Sequence, residues 1–227
     1  PLDEGALIAA LTQTVAEADT VALTFREAAD GSVRQRVDPG RIPQLLQHDL
    51  RAAADPWTAA RALMRADIDA VLDLRRQPLS AQMLLRLGED RWLWYFRGHH
   101  MILDGFGMSL IEGRVARLYA HATGQADAGS PFGRLTDFLA EDAAYHASEA
   151  CAQDRAYWQD QLGPFRATLP VLRKGAEDYG VAPMRAAFTP GPGFERDLQA
   201  AAAQLRLSWA DTLTLLSGVW LALHDPD

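Results

Sequence analysis

Residues 80–98 carry the pattern that most restricts how this chain folds. "AQMLLRLG" and "RWLWYFRG" are strand-like runs joined only by "GEDR", so they pair as an antiparallel hairpin. Continued to the two histidines with a period of two, the second run sets Trp92, Trp94, Phe96 and His100 on one face, and Leu93, Tyr95, Arg97 and His99 on the other. The aromatic face is expected to fill a core rather than line a ligand tunnel. Beyond the histidines, Met108, Ile111, Val115, Leu118 and Ala122 recur at helical spacing up to a stop at Gly124. The stretch "RGHHMILDGFGMSL", 97–110, therefore lies between a strand and a helix.

Elements of both kinds surround this hairpin. Residues 5–18 place Leu7, Leu11, Val15 and Ala18 on one helical stripe. "DTVALTFRE" then alternates like a strand, with Val21, Leu23 and Phe25 on one face, and the Asp-Gly turn of "AADGSVRQRV" folds a second strand back on it. Residues 56–72 read as a helix with Pro56 in its first turn. A long helix is expected over 134–162, then a linker marked by proline and glycine, a short strand around "MRAAFT", and two helices near 194–206 and 209–223. The class is α/β, with no internal repeat or low-complexity tract.

With 227 residues and 48% hydrophobic composition, the chain buries a sizeable core as one large domain or two small ones. Its 22 basic and 30 acidic residues give a formal net charge of −8, which repels polyanions and argues against a nucleic-acid partner. Cys151 is the single cysteine, so there is no internal disulfide and no zinc cluster of the thiolate kind, and a reducing cytoplasm fits. The longest apolar run, "LTLLSGVWLAL", falls short of the roughly 20 residues of a membrane helix, so no membrane partner is expected. The start has no initiator methionine and no signal-peptide pattern, and the end follows an apolar helical run directly. The 227 residues are expected to be a piece of a longer polypeptide.

Neighbouring strand residues point apart, so His99 and His100 do not share a metal, and no second cluster at ligand spacing lies nearby. Only one of the two imidazoles faces a given cavity. Asp104 is placed to pin the loop by accepting backbone hydrogen bonds or meeting an arginine. Gly105 removes a Cβ where the helix starts, which lets a ligand approach amides that carry partial positive charge. A strand-end imidazole beside bare helix amides suits acyl transfer. In purely structural use, the same residues are a histidine bonded to backbone and an aspartate capping a helix. His48, His121, His146 and His224 are isolated and read as surface or packing residues.

"HHMILDG" has the form HHxxxDG and resembles the signature of condensation domains in nonribosomal peptide synthetases. "AEADTVALTF" looks like an altered form of the family's early His-Glu-x-Leu-Arg-Thr-x-Phe region, and "DRAYWQDQL" resembles its Tyr-Trp-x-x-x-Leu segment. "SWADTLTLLSGVWLALH" looks like the helix that opens the second lobe. The resemblance covers almost the whole chain and is in particular to siderophore synthetases of the enterobactin type. It implies a chloramphenicol-acetyltransferase-like sandwich of a mixed sheet and helices, with two lobes forming a V around a tunnel. Residues 1–165 then form the N-terminal lobe, 166–193 an inter-lobe linker and strand, and 194–227 the first helices of a truncated C-terminal lobe, with the family's opening strand missing before residue 1.

The activity so implied is amide bond formation between a carrier-bound acyl or peptidyl thioester and a carrier-bound aminoacyl acceptor. The implied partners are donor and acceptor peptidyl or aryl carrier proteins, whose 4'-phosphopantetheine arms bring the substrates, and an adjacent adenylation domain. The domain itself is expected to bind no cofactor, and the 227 residues alone are expected to be inactive. The resemblance makes His100 the imidazole in the tunnel, His99 a structural histidine, Asp104 the loop-holding aspartate and Gly105 the close-approach glycine. Arg114 and Arg117 read as solvated helix charges, with contact to an acidic carrier as the alternative.

Some positions depart from the family. Its early arginine, the usual partner of the motif aspartate, is replaced by Ala22; Arg26 is the candidate substitute, with a solvated surface arginine as the favoured reading. "DGFGMS" stands where many relatives have Asp-Gly-Trp-Ser, keeping an aromatic at Phe106. An epimerisation domain carries the same histidine motif and is the alternative enzyme. A non-catalytic recruitment platform is the other alternative, although such domains usually lose the second histidine, and His100 is present.

Overall fold

The structure, a computed structural model, describes residues 2–163 and 187–224. Its elements begin where the sequence supplies caps. Asp3 accepts a hydrogen bond from the Ala6 amide and starts helix α1, Glu4–Glu17, whose buried stripe is Ala10, Leu11, Thr14 and Val15. Strands β1, Leu23–Glu27, and β2, Val33–Val37, pair antiparallel across a turn in which Gly31 holds φ +79°, a backbone state that glycine adopts freely. Asp55 caps helix α2, Pro56–Asp69, with proline in its first turn. A second sheet orders β3, Leu45–Asp49, beside β4, Ser80–Gly88, beside β5, Arg91–Gly98. It is mixed, because β3 runs parallel and β5 antiparallel to β4. Helices α3, Gly105–Ala122, α4, Leu135–His146, α5, Glu149–Leu162, α6, Phe194–Leu205, and α7, Trp209–His224, complete the described chain.

The period of two divides the faces of the mixed sheet. Met83, Leu85, Leu93 and Tyr95 pack on Ala60, Leu63 and Met64 of α2. Leu84, Trp92 and Trp94 pack on Leu11 of α1 and on Val115 and Leu118 of α3. The result is a sandwich, with one helix against one face and two against the other. The aromatic face of β5 is core, as its alternation predicts. Buried polar residues of β4 fasten the connections: Ser80 Oγ donates to the Val21 carbonyl at 2.8 Å, and Gln82 Nε2 donates to the Pro43 carbonyl at 3.0 Å. By packing, residues 1–151 form one compact unit and 152–227 another, in which α6 and α7 pack on each other.

Several expectations change. β5 stops at Gly98, so His100 does not continue the Trp92, Trp94, Phe96 face. Asp19–Ala22 is a 3₁₀ turn, and Val21 and Ala22 are buried within it, ahead of the strand proper. The long helix expected over 134–162 is two helices. Ser148 breaks it, since its Oγ accepts from the Cys151 amide at 3.2 Å and thereby caps α5. β3 was not anticipated, being a short edge strand without a clear alternation of burial. Arg114 is not solvated: its side chain is 6% exposed, and its guanidinium bonds both oxygens of Glu17, at 2.7 and 3.0 Å. The boundary expected at 165 and most of the 166–193 linker lie outside the described residues, and the part of the expected strand that is described, 187–189, is not strand.

Candidate active site

The loop between β5 and α3 is held by its own residues. At the end of β5 the His99 amide donates to the Leu79 carbonyl at 2.9 Å. The His99 carbonyl then accepts from the amides of Ile102 at 2.9 Å and Leu103 at 3.2 Å, and its Nδ1 accepts from the Met101 amide at 3.1 Å. A ring that accepts at Nδ1 carries its proton on Nε2. His99 thus closes the turn. Asp104 is the N-cap of α3, with Oδ1 accepting from the Gly107 amide at 2.7 Å. Leu103 sits between two glycines: a Cβ at Gly98 would lie 3.1 Å from its Cδ2, and a Cβ at Gly107 would lie 2.7 Å from its Cδ1. Its side chain packs with Val21 and Ile111 on one side and Leu79 and Ile102 on another.

Between these anchors, His100 stands exposed and makes no hydrogen bond to another described residue. It borders two cavities. The larger, about 760 Å³, has apolar walls from Leu103, Phe106, Leu110, Phe132 and Phe138. The smaller, about 240 Å³, lies among Ile68 at the end of α2, Arg97 and Gly98 of β5, and Gly105 and Met108 of α3. His100, Leu103 and Asp104 line both, so this loop is their shared wall.

Charged groups fix the surrounding elements. Asp19 accepts from the Leu135 amide at 3.0 Å and pairs with Arg134 at 3.0 Å, which sets the start of α4 along the larger cavity. Asp67 of α2 accepts from Tyr95 Oη at 2.6 Å and from Arg97 Nε at 2.5 Å and Nη2 at 3.1 Å. Burial pushes the Asp67 carboxyl up, but Arg97 and Tyr95 more than offset this and leave it below the usual carboxylate range. Burial and the neighbouring Asp67 push the Tyr95 phenol up, so it stays protonated and donates. This cluster ties α2 to β5 just before the histidines.

Of the residues the sequence singles out, His100, Asp104 and Gly105 meet at the smaller cavity and His100 and Asp104 at the larger, while His99 borders neither. A Cβ at Gly105 would meet nothing within 4 Å, so internal packing does not demand glycine there. Arg26 is not the partner of Asp104: it stands on β1 opposite Arg34, and Asp104 has no ion pair among the described residues. Capping of α3 takes the place of that arginine. Leu103, Gly107, Asp19 and Arg134 were not foreseen as parts of the site. Nothing local signals the Asp19 and Arg134 pair, which joins positions far apart in sequence.

A mixed sheet sandwiched by helices places the fold in the chloramphenicol-acetyltransferase-like class. Residues 1–223 match the condensation domain family, and the chain belongs to that family. It is similar to VibH, an NRPS condensation enzyme, with a TM-score of 0.73 at 25% identity, covering 100% of this chain and 52% of that one. It is similar to the starter condensation domain of rhizomide synthetase RzmA, with a TM-score of 0.61 at 40% identity over 71% of this chain and 39% of that one. Enterobactin synthase component F from Escherichia coli (strain K12) is 33% identical over 230 residues, 96% of this chain and 16% of the synthase. The chain therefore spans about half or less of these solved domains and a small part of the synthase. Among the described residues, no helix is long and apolar enough to cross a membrane.

Proposed function

We propose that this chain forms amide bonds in nonribosomal peptide synthesis, joining a carrier-bound acyl or peptidyl thioester to a carrier-bound aminoacyl amine, with His100 at the reacting centre. The observation that carries this reading is the His100 imidazole, which makes no hydrogen bond among the described residues, on the loop shared by two cavities. One substrate reaches the ring from each side, each on the 4'-phosphopantetheine arm of its carrier. A doubly substituted variant of the RzmA starter condensation domain has been solved in complex with both C8-CoA and Leu-SNAC, so a relative holds two such molecules at once, which supports a two-substrate reading.

The amine nitrogen attacks the thioester carbonyl carbon. The C–N bond forms, the C–S bond breaks, and the proton lost by nitrogen ends on the departing thiol. An α-amine has a pKa of about 8, so a fraction is already neutral near pH 7, and His100 serves mainly to orient it by hydrogen bonding. Amides at the start of α3 not used by Asp104 are available to the carbonyl oxygen as it gains charge. His99 and Asp104 hold the loop, and Gly105 leaves room for the substrate. In this reading residues 1–165 are the first lobe, 194–227 open the second, and the enzyme works in the cytoplasm beside an adenylation domain.

The test uses the polypeptide that carries these 227 residues in full, with a donor and an acceptor carrier each loaded with its thioester. Mass spectrometry should detect the joined product, and His100→Ala should lower its rate by about a hundredfold. Exchange of the α-carbon hydrogen for deuterium without joining would assign epimerisation instead. The 227 residues alone, spanning 52% of VibH, are expected to yield no product.

A further inference from the structure

The β1–β2 hairpin turns its faces to different uses. Leu23, Phe25 and Val37 pack into the core with Leu79 and Ile102. The register places Arg26 opposite Arg34, and Arg36 opposite Thr24, on the other face. Arg26 and Arg34 are exposed, and neither has an ion-pair partner among the described residues. Like charges directly opposed across strands work against pairing. Arg36, Arg41 and Arg75 join them around a cavity of about 390 Å³, where Asp38 is the single carboxylate. Asp38 is already engaged, accepting from the Gly40 amide at 3.0 Å and pairing with Arg36 at 3.6 Å. This concentration stands on a chain with 22 basic and 30 acidic residues.

We propose that this arginine face is a docking surface for an acidic protein partner. On the condensation reading above, on which this identification rests, the partner is a carrier domain. The arginines of α3 are poorer candidates, because Arg114 is buried on Glu17 and Arg117 is paired with Asp127. Arg36 pairs with Asp38 and Arg75 with Glu27 at 3.0 Å, which leaves Arg26 and Arg34 without a counter-charge among the described residues. A face that keeps two opposed, unpaired cations when empty gains most from an acidic surface laid across it. Such docking weakens with added salt.

The test measures binding of a purified acidic carrier protein in its apo form, lacking the phosphopantetheine arm, by fluorescence anisotropy on the polypeptide carrying this chain. Arg26→Glu should weaken binding at least about tenfold while leaving the melting temperature unchanged or higher, since it replaces a like-charge pair by an attractive one. Arg61→Glu on α2 makes the same change of charge elsewhere and should bind as the wild type does. Equal binding by Arg26→Glu and Arg61→Glu overturns the proposal. Binding of coenzyme A or inorganic phosphate at this face, without binding of the apo carrier, overturns it as well and assigns a small-anion pocket. Amide formation by the wild type, assayed beside docking, separates the two readings: docking by a wild type that forms no amide leaves the surface standing and removes the reaction.

Discussion

Asp104 does its observed work as a helix cap, through the 2.7 Å bond from the Gly107 amide. Asp104→Ala is therefore expected to cost about 1 kcal/mol, while Asp104→Asn, which also caps, loses little; thermal denaturation compares the two. That capping role was one of the two structural uses open to the sequence, and the loop was placed correctly between strand and helix. Arg114 was not legible. Its position on the stripe side of α3 looked solvated because Glu17, its partner, lies 97 residues away. Hydrogen bonds from Arg114 hold the Glu17 carboxyl below the ordinary range, with burial opposing them. A depressed carboxylate contributes stability that is present above its unfolded pKa of about 4.3 and is lost as pH falls through the folded value. Arg114→Met should thus cost about 2 kcal/mol at pH 7, less than for a fully buried pair because Glu17 keeps 17% exposure, and the deficit should shrink below about pH 4. Urea unfolding at the two pH values measures it.

At the scale of elements, the period of two in β4 and β5 and the helical stripe of α3 carried the prediction, because each buries one face against a partner of fixed geometry. The same rule failed at the end of β5. Nothing in the alternation announces that the His99 carbonyl will be bonded by Ile102 and Leu103, which curls the chain before His100. β3 escaped for a related reason, as its identity comes from pairing with β4 rather than from its own pattern. The loop's shape depends on Leu103 lying between Gly98 and Gly107, with a Gly107 Cβ only 2.7 Å from it. Gly107→Val should lower the melting temperature and reduce amide formation at least about tenfold by displacing Leu103 and the cap. Gly105→Ala has open space for its methyl and should fold normally, so a drop in product formation there would report on substrate approach alone.

For the whole molecule, the mixed strand and helix patterns were enough for the α/β class, and four separate segments in family order were enough for the condensation domain, a membership the match over residues 1–223 bears out. What stayed hidden was how distant residues build cavities. The wall that Asp19 and Arg134 give the larger cavity comes from opposite ends of the first unit, and spacing along a chain does not encode such meetings. The proposed reaction centre rests on the two cavities that share the wall of one loop. The most direct measurement is a crystal structure of the complete polypeptide with an amide product analogue bridging two pantetheine arms. The account predicts the His100 ring within hydrogen-bond reach, about 3 Å, of the new amide nitrogen, with one arm arriving from each cavity. Arms that meet away from the 99–104 loop, or a His100 ring packed against protein and out of reach of the amide, would contradict it.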